Sequence, residues 1–214
     1  INDEVLLSAP CYGGLDLAST RDLTSFVLSW RIGEKIICKH WTFIPEDKYE
    51  GRTGGKDGVN YQQFADYLEI TPGNVTDYNY VKAKIFELCE KYQVQSIAYD
   101  RWNSSQLVIE CIEEGLKMSA FGMGYKSLSP ASKEIEIKIM KGDFIYFNDP
   151  LVRWQFGNVQ LESDAAGNIK PNKARSSDKI DTIMALCMAV GEEIFSEAPV
   201  VSKYKRDNKG FFTI

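Results

Sequence analysis

Three aspartates occupy positions where an acidic side chain needs an explanation. Asp16 lies in the apolar run Gly14-Leu15-Asp16-Leu17-Ala18, which reads as a strand. Aspartate is a poor strand residue, and burying an unpaired carboxylate is costly, so a bound cation would compensate it. Asp100 ends the apolar run 96–100, and α/β sheets place their sites at the carboxyl ends of central strands. Asp181 stands at the start of the last predicted helix.

Each of these aspartates also has an ordinary structural explanation. Asp16 could bond to backbone at a strand end, Asp100 could cap the next helix, and Asp178 with Asp181 could cap the last one. A metal-binding interpretation therefore depends on the three acids acting together. Carboxylates held close to one another must protonate or bind cations, and a donor set of oxygens alone favours Mg²⁺ or Mn²⁺ over Zn²⁺.

The composition disfavours several other chemistries. The sequence contains one histidine, His40, and five cysteines, no two of which have CxxC spacing. Chemistry that needs several histidines is thereby excluded, and neither a zinc site nor a disulfide framework is indicated. We interpret the cysteines as small core residues in a reducing compartment. No apolar run approaches the ~18 residues of a membrane helix, so we expect no membrane partner.

Hydrophobic periodicity predicts the elements that would position the acids. Strands over 12–19, 23–32 and 35–44 form an antiparallel three-strand meander. Beyond them the pattern predicts helix 78–92, strand 94–99, helix 104–114, strand 117–123, helix 132–140, a hairpin within 159–173 and a last helix over 178–195. This order predicts an α/β fold, a mixed β-sheet with helices on both faces.

Five segments, in this order, resemble the nuclease domain of the large terminases of tailed phages and prophages, which belong to the ribonuclease H-like superfamily. Together they span roughly residues 13–192, and the ordered set is more specific than any one segment. They are Gly14-Leu15-Asp16-Leu17-Ala18-Ser19-Thr20-Arg21-Asp22-Leu23-Thr24, Ile70-Thr71-Pro72-Gly73-Asn74, Tyr99-Asp100-Arg101-Trp102-Asn103, Asp164-Ala165-Ala166-Gly167-Asn168-Ile169-Lys170-Pro171 and Lys179-Ile180-Asp181-Thr182-Ile183-Met184-Ala185.

The resemblance implies both a fold and a site. In a ribonuclease H-like sheet the first and fourth strands are central neighbours and the last helix packs across their ends, so the three carboxylates would converge. It implies that Asp16, Asp100 and Asp181 are the catalytic, metal-binding triad, with Asp22 as an accessory metal ligand or an ordinary turn residue. Two Mg²⁺ or Mn²⁺ ions about 3.5–4 Å apart would activate water and steady the leaving oxygen of a phosphodiester. The family's usual glycine after the third aspartate is Thr182 here.

The resemblance also implies partners. We expect an endonuclease that cuts concatemeric double-stranded DNA in the host cytoplasm, at a procapsid, alongside a portal protein and a small terminase subunit. The net charge of −5 argues weakly against nucleic acid, but basic residues could contact phosphates or simply form a solvated face. They are Lys126, Lys133, Lys170, Lys173 and Arg175.

The expected organisation is a nuclease domain over 1–197 followed by a basic tail over 198–214. Because the sequence starts at Ile1 and lacks a phosphate-binding loop, we expect an ATPase domain to precede it in a longer chain.

Other functions stay open at the level of sequence. A Holliday-junction resolvase or transposase-like nuclease would share the fold and similar acids. The run around Asp16 faintly resembles the first phosphate loop of actin- or chaperone-like ATPases, but glycine is wanted at Ala18 and 214 residues cannot hold a second lobe. A DNA-binding module without catalysis is disfavoured because all three acids are present. Metal-dependent plasmid cleavage separates the nucleases from the rest, and a four-way junction separates the resolvase.

Overall fold

We describe the fold from a computed structural model, which describes residues 3–17, 22–51, 58–101 and 106–196. The predicted tail, 198–214, lies outside the described residues. Within them, no helix is both long and apolar enough to cross a membrane.

The central sheet begins with the predicted meander. Strands β1 (Pro10–Asp16), β2 (Thr24–Ile32) and β3 (Lys35–Pro45) pair antiparallel. Gly33, with φ of 59°, supplies the left-handed residue of the tight turn between β2 and β3. The antiparallel pairing confirms the meander that the sequence predicted.

Parallel strands extend this meander on both sides. They are β4 (Glu69–Thr71), β5 (Gln93–Asp100), β6 (Met118–Phe121) and β7 (Phe144–Ile145). In the described residues the sheet runs β4-β3-β2-β1-β5-β6, with β7 also paired to β3. The pairing of β1 with β5 is parallel, so the mixed sheet and the predicted neighbours at its centre are both confirmed.

Helices cover both faces of the sheet, as predicted. One apolar cluster joins the sheet to α1 (Asp3–Ser8), α3 (Tyr78–Lys91) and α4 (Gln106–Glu113). A second joins the opposite face to α5 (Tyr125–Lys141), α6 (Pro150–Asn158) and α7 (Asp181–Ser196). The short α2 (Glu46–Tyr49) and a 3-10 helix (Tyr61–Tyr67) follow β3. A separate hairpin, β8 (Leu161–Ser163) and β9 (Ile169–Pro171), precedes α7.

Two helix starts differ from the sequence prediction. Helix α5 begins at Tyr125 rather than at 132 and runs through Pro130. Proline removes one intrahelical hydrogen bond, but Leu128 and Ala131 are buried in the cluster with α7, and that packing holds the first turns in place. Helix α7 begins at Asp181 rather than at 178.

Helix α7 lies directly against β1, and this contact needs a residue without a side chain. A Cβ atom on Gly14 would stand 1.9 Å from the carbonyl oxygen of Ala185 and 2.7 Å from the amide nitrogen of Ala189. Asp181, Ala185 and Ala189 follow one another at intervals of four residues and therefore share one face of the helix. The glycine thus lets the face of α7 that carries Asp181 approach β1.

Candidate metal centre

Asp16 and Asp100 are the last residues of two adjacent parallel strands. Leu15 pairs with Tyr99 across β1 and β5, so the next residue on each strand is an aspartate. Leu15 packs into the cluster with α3 and α4, and side chains alternate between the faces of a strand, so Asp16 projects towards α7. Asp16 is 2% exposed and Asp100 is half-buried. Both line a cavity of about 330 Å³.

Asp181 approaches Asp16 from the first turn of α7. The amide of Met184 donates to the carbonyl oxygen of Ile180, which marks the first turn of the helix. Asp181 is 5% exposed. One of its carboxylate oxygens, Oδ2, is buried without a hydrogen-bond partner. A buried carboxylate oxygen without a donor carries a desolvation cost, which a cation would offset.

Lys173 lies between these two aspartates. Its Nζ donates to Oδ2 of Asp16 at 2.6 Å and to Oδ1 of Asp181 at 2.9 Å. The side chains of both acids are nearly inaccessible, whereas 47% of the Lys173 side chain is exposed. The structure therefore brings two of the three predicted metal ligands, Asp16 and Asp181, into contact with the ammonium group of Lys173.

Burial dominates the electrostatics of this cluster. It raises the pKa of Asp16 to about 7; Lys173 opposes that rise, and the carboxylates of Asp181 and Asp100 add to it. Burial would lower the pKa of Lys173, but Asp16 and Asp181 outweigh this and raise it above the ordinary lysine value. Asp16 thus holds its proton more tightly than an exposed aspartate, and the ammonium stays charged.

The position of Lys173 is set by the turn that follows β9. Oδ1 of Asn172 accepts hydrogen bonds from the amides of Ala174 and Arg175 at 2.9 and 3.1 Å. Nδ2 of Asn172 donates to Glu162 of β8 at 2.5 Å. On the other side, the amide of Ile169 donates to Oγ of Ser129 in α5. The hairpin is therefore tied to the helix layer, and its end presents Lys173 to the acids.

Asp22 stands beside the cluster with its own cationic partners. Its carboxylate accepts hydrogen bonds from Lys179 and, at 3.4 Å, from Lys48. These lysines outweigh the effect of burial and hold the pKa of Asp22 below its ordinary value. Asp22, Lys173 and Asp181 line a second cavity of about 420 Å³. The structure thus puts Asp22 near Asp181, with its charge already balanced.

The predicted phosphate contacts differ in their surroundings. Lys170 pairs with Glu162 at 2.9 Å and stacks over the ring of Tyr125. Lys126 and Lys133 are exposed seven residues apart on α5, which places them on one face, and Arg175 is also exposed. Contact of these groups with DNA stays a prediction. Lys173 differs from them because its ammonium contacts Asp16 and Asp181.

Sequence reasoning missed a buried polar network under the start of α7. The hydroxyls of Ser25, Thr42 and Thr182 lie 2.9–3.0 Å from one another. Gln155 donates to the Thr182 hydroxyl at 2.9 Å and accepts from the Thr182 amide at 2.8 Å. All four residues are at most 2% exposed. The sequence signal was Thr182 itself, which stands where the family usually has glycine.

The donor atoms of the cluster suit a hard divalent cation, because they are all carboxylate oxygens and Oδ2 of Asp181 lacks a partner. The three aspartates do not yet form a ligand set in this arrangement. Across the described ranges, no three His, Cys, Asp or Glu side chains are grouped so that they could hold a metal ion. The expected convergence is partial: Lys173 fills the space between Asp16 and Asp181, and Asp100 reaches the cluster through the cavity it shares with Asp16.

The fold is a mixed sheet with helices on both faces and acids at the carboxyl ends of its central strands, and comparison with known proteins gives the family. The model of the family described as "Terminase large subunit, endonuclease domain" matches residues 7–197. The chain therefore belongs to this terminase nuclease family.

Two curated relatives are similar over most of the chain. The terminase large subunit of Enterobacteria phage HK97 is 31% identical over 187 residues, covering 84% of this chain and 36% of that protein. Protein YmfN of Escherichia coli K12 is 26% identical over 203 residues, covering 88% of this chain and 44% of that protein. The chain thus spans less than half the length of these relatives.

Solved structures agree in fold. The crystal structure of the HK97 large terminase superimposes with a TM-score of 0.78 at 29% identity, covering 87% of this chain and 40% of that one. The large terminase nuclease of thermophilic phage G20c with bound magnesium gives a TM-score of 0.54 at 15% identity, covering 86% and 82%. At that identity the G20c similarity shows the fold alone, and it agrees with the predicted mixed α/β sheet.

Proposed function

We propose that this domain is a metal-dependent DNA endonuclease that cuts concatemeric double-stranded DNA during phage genome packaging. The observation that carries the proposal is the meeting of Asp16 and Asp181 on one cationic group at the carboxyl end of β1, beside Asp100, in a chain of the terminase nuclease family. A resolvase would share the acids, but the family match favours packaging.

In this proposal Asp16, Asp100 and Asp181 hold two Mg²⁺ or Mn²⁺ ions. The magnesium-bound G20c nuclease supports the choice of a hard divalent ion. Such ions supply an activated water and a counter-charge for the leaving oxygen of the phosphodiester. Asp16 is the central ligand because it shares Lys173 with Asp181 and a cavity with Asp100. Asp22 is an accessory ligand only if it leaves Lys48 and Lys179.

The exposed basic residues would position the DNA. Lys126 and Lys133 on α5 and Arg175 beyond the hairpin are the candidates with free access to solvent. A packaging nuclease must cut many sequences, so its contacts should be to phosphates. Mutating one such residue should weaken binding to all sequences alike and reduce the salt slope by roughly one unit.

The wider setting is also proposed. Because the HK97 terminase is more than twice as long as this chain, we propose that an ATPase domain belongs to the same full-length protein. It would act at a procapsid in the host cytoplasm, with a portal protein and a small terminase subunit. Tethering a nuclease to a motor confines cleavage to DNA held in the complex.

Plasmid cleavage in Mg²⁺ or Mn²⁺ tests the triad. Asp16→Asn, Asp100→Asn and Asp181→Asn should each reduce cleavage to background while the variants stay folded, because each removes a charged ligand and keeps the shape. Asp66→Asn, at an exposed position of the 3-10 helix, is the matched control and should cut like the parent. Ca²⁺ should bind without supporting turnover. Undiminished cleavage in chelator, or full activity in a triad variant, would contradict the proposal, and preference for a four-way junction would indicate a resolvase.

A further inference from the structure

One lysine pairs with both buried acids. Lys173 is within 2.9 Å of a carboxylate oxygen of each of Asp16 and Asp181, and both acids are at most 5% exposed. Two carboxylates at this depth need positive charge to be stable as anions. The ammonium therefore occupies the point between them, where a metal ion shared by both would need to bind.

We propose that Lys173 is the counter-ion of the metal-free site, and that its ammonium must withdraw before Asp16 and Asp181 can share a divalent ion. This inference rests on the proposed function, because it concerns the same acids. In this proposal Lys173 determines the metal affinity of the site. It is not a DNA phosphate contact, which is what the basic residues near it in sequence suggest.

The surroundings of Lys173 allow its side chain to leave while its backbone stays. The backbone is held by the Asn172 turn and by the bond from Asn172 to Glu162. The side chain is 47% exposed, and a lysine ammonium sits on a flexible four-carbon stem. Lys173 lines both cavities of the site, one with Asp16 and Asp100 and the other with Asp22 and Asp181. Its withdrawal joins these two spaces and lets the acids face one another.

Competition of this kind has a measurable sign. Divalent ions must outcompete two charge-assisted hydrogen bonds, so the native lysine lowers metal affinity. Removing the ammonium should tighten metal binding and destabilise the protein without metal, because the acids then lack a counter-charge. A lysine that merely organises the site would give the opposite sign for metal affinity.

The test is a titration of the chain with Mn²⁺ alone, followed by the spin-resonance signal of free Mn²⁺, without DNA. Lys173→Gln should bind Mn²⁺ about tenfold more tightly than the parent, the equivalent of one charge-assisted hydrogen bond. Its melting temperature should be lower in chelator and should rise more on adding Mn²⁺. Lys141→Gln removes the same charge at an exposed position at the end of α5 and should retain the parent affinity.

Lys173→Arg keeps the test decisive if Lys173→Gln fails to fold in chelator. Guanidinium groups bind carboxylates with two parallel hydrogen bonds, so this variant should bind Mn²⁺ more weakly than the parent. Equal or weaker Mn²⁺ binding by Lys173→Gln, or equal or tighter binding by Lys173→Arg, would overturn the proposal. If these Mn²⁺ affinities contradict the counter-ion proposal but Asp16→Asn still abolishes cleavage, the proposed function stands. If both variants show the expected Mn²⁺ affinities but Asp16→Asn cuts DNA fully, the proposed function is wrong and the counter-ion role of Lys173 stands.

Discussion

Replacing Gly14 by alanine tests the contact on which the geometry of the site depends. The added Cβ would meet the Ala185 carbonyl oxygen at 1.9 Å and the Ala189 amide nitrogen at 2.7 Å. Both are backbone atoms of α7, so no side chain can rotate away. Ordinary contacts of a Cβ lie at 3.4–4 Å, which requires β1 and α7 to separate by roughly 1.5 Å at this point.

The expected cost follows from overpacking. Extra methyl groups in a packed interior cost about 1–3 kcal/mol, and a rigid backbone neighbour places Gly14→Ala at the upper end, about 3 kcal/mol. Alanine also lowers the conformational entropy of the unfolded chain, and this stabilises the folded protein by roughly 0.4–1 kcal/mol. A net loss of about 2–3 kcal/mol is therefore expected. With urea m-values of about 1–3 kcal/mol/M, the unfolding midpoint should fall by roughly 0.7–3 M.

Urea unfolding followed by circular dichroism measures this loss. Gly157→Ala is the control, since nothing lies within 4 Å of a Cβ there and the residue is inside α6; it should gain about 0.5–1 kcal/mol. Because the displaced helix carries Asp181, Gly14→Ala should also weaken Mn²⁺ binding. An unfolding free energy within about 0.5 kcal/mol of the parent would refute the close approach of α7 to β1.

Three further outcomes follow from buried groups. Thr182→Val keeps the shape but removes the acceptor of the Gln155 amide and one of the partners of Ser25 and of Thr42, so it should cost about 1–3 kcal/mol in urea unfolding. A loss under about 0.5 kcal/mol would show that the network contributes little. Burial raises the pKa of Asp16 from 3.8 to about 7. The folded protein then binds this proton more tightly than the unfolded chain, so in chelator the free energy of unfolding should fall as pH rises from about 4 to 7. Asp16→Asn should lose this pH dependence. If the variant shows the same pH dependence as the parent, the proton is bound by another group. Burial raises the pKa of each cysteine, to about 12 for Cys11 and Cys187, so at pH 8 a thiol reagent should label the native protein slowly and label five groups after denaturation. Cys89 is partly exposed, so rapid native labelling of more than one thiol would contradict the buried positions of the other four cysteines.

The sheet and its acids could be predicted because their signals are local. Aspartate in an apolar strand is unusual enough to mark Asp16, and the compact run that ends at Asp100 marks β5. The family resemblance then implies which strands are central neighbours, and the pairing of Leu15 with Tyr99 agrees with it. Helix α7 was equally clear from its apolar periodicity.

The counter-ion could not be predicted, because its partners are distant in sequence. Lys173 is 157 residues from Asp16, and in sequence it is one of several basic residues on a hairpin. A run of that kind looks like a solvated or phosphate-binding face. Only the turn at Asn172, which directs Lys173 back towards β1, distinguishes it from Lys170. The start of α5 was predicted too late for a different reason: Pro130 normally ends or precedes a helix, whereas here the burial of neighbouring residues outweighs it.

The acid cluster can form only late in the synthesis of the chain, because it depends on the pairing of β1 with β5 and on the packing of α7 on β1. Its acids come from the beginning, middle and end of the domain, at positions 16, 100 and 181, so a fragment that holds all three must span 16–181. Contacts between such distant residues form late, because their loop-closure entropy must be met first. During synthesis the N-terminal part emerges before α7. A ribosome-bound chain should therefore be unable to assemble the cluster until residue 181 has emerged.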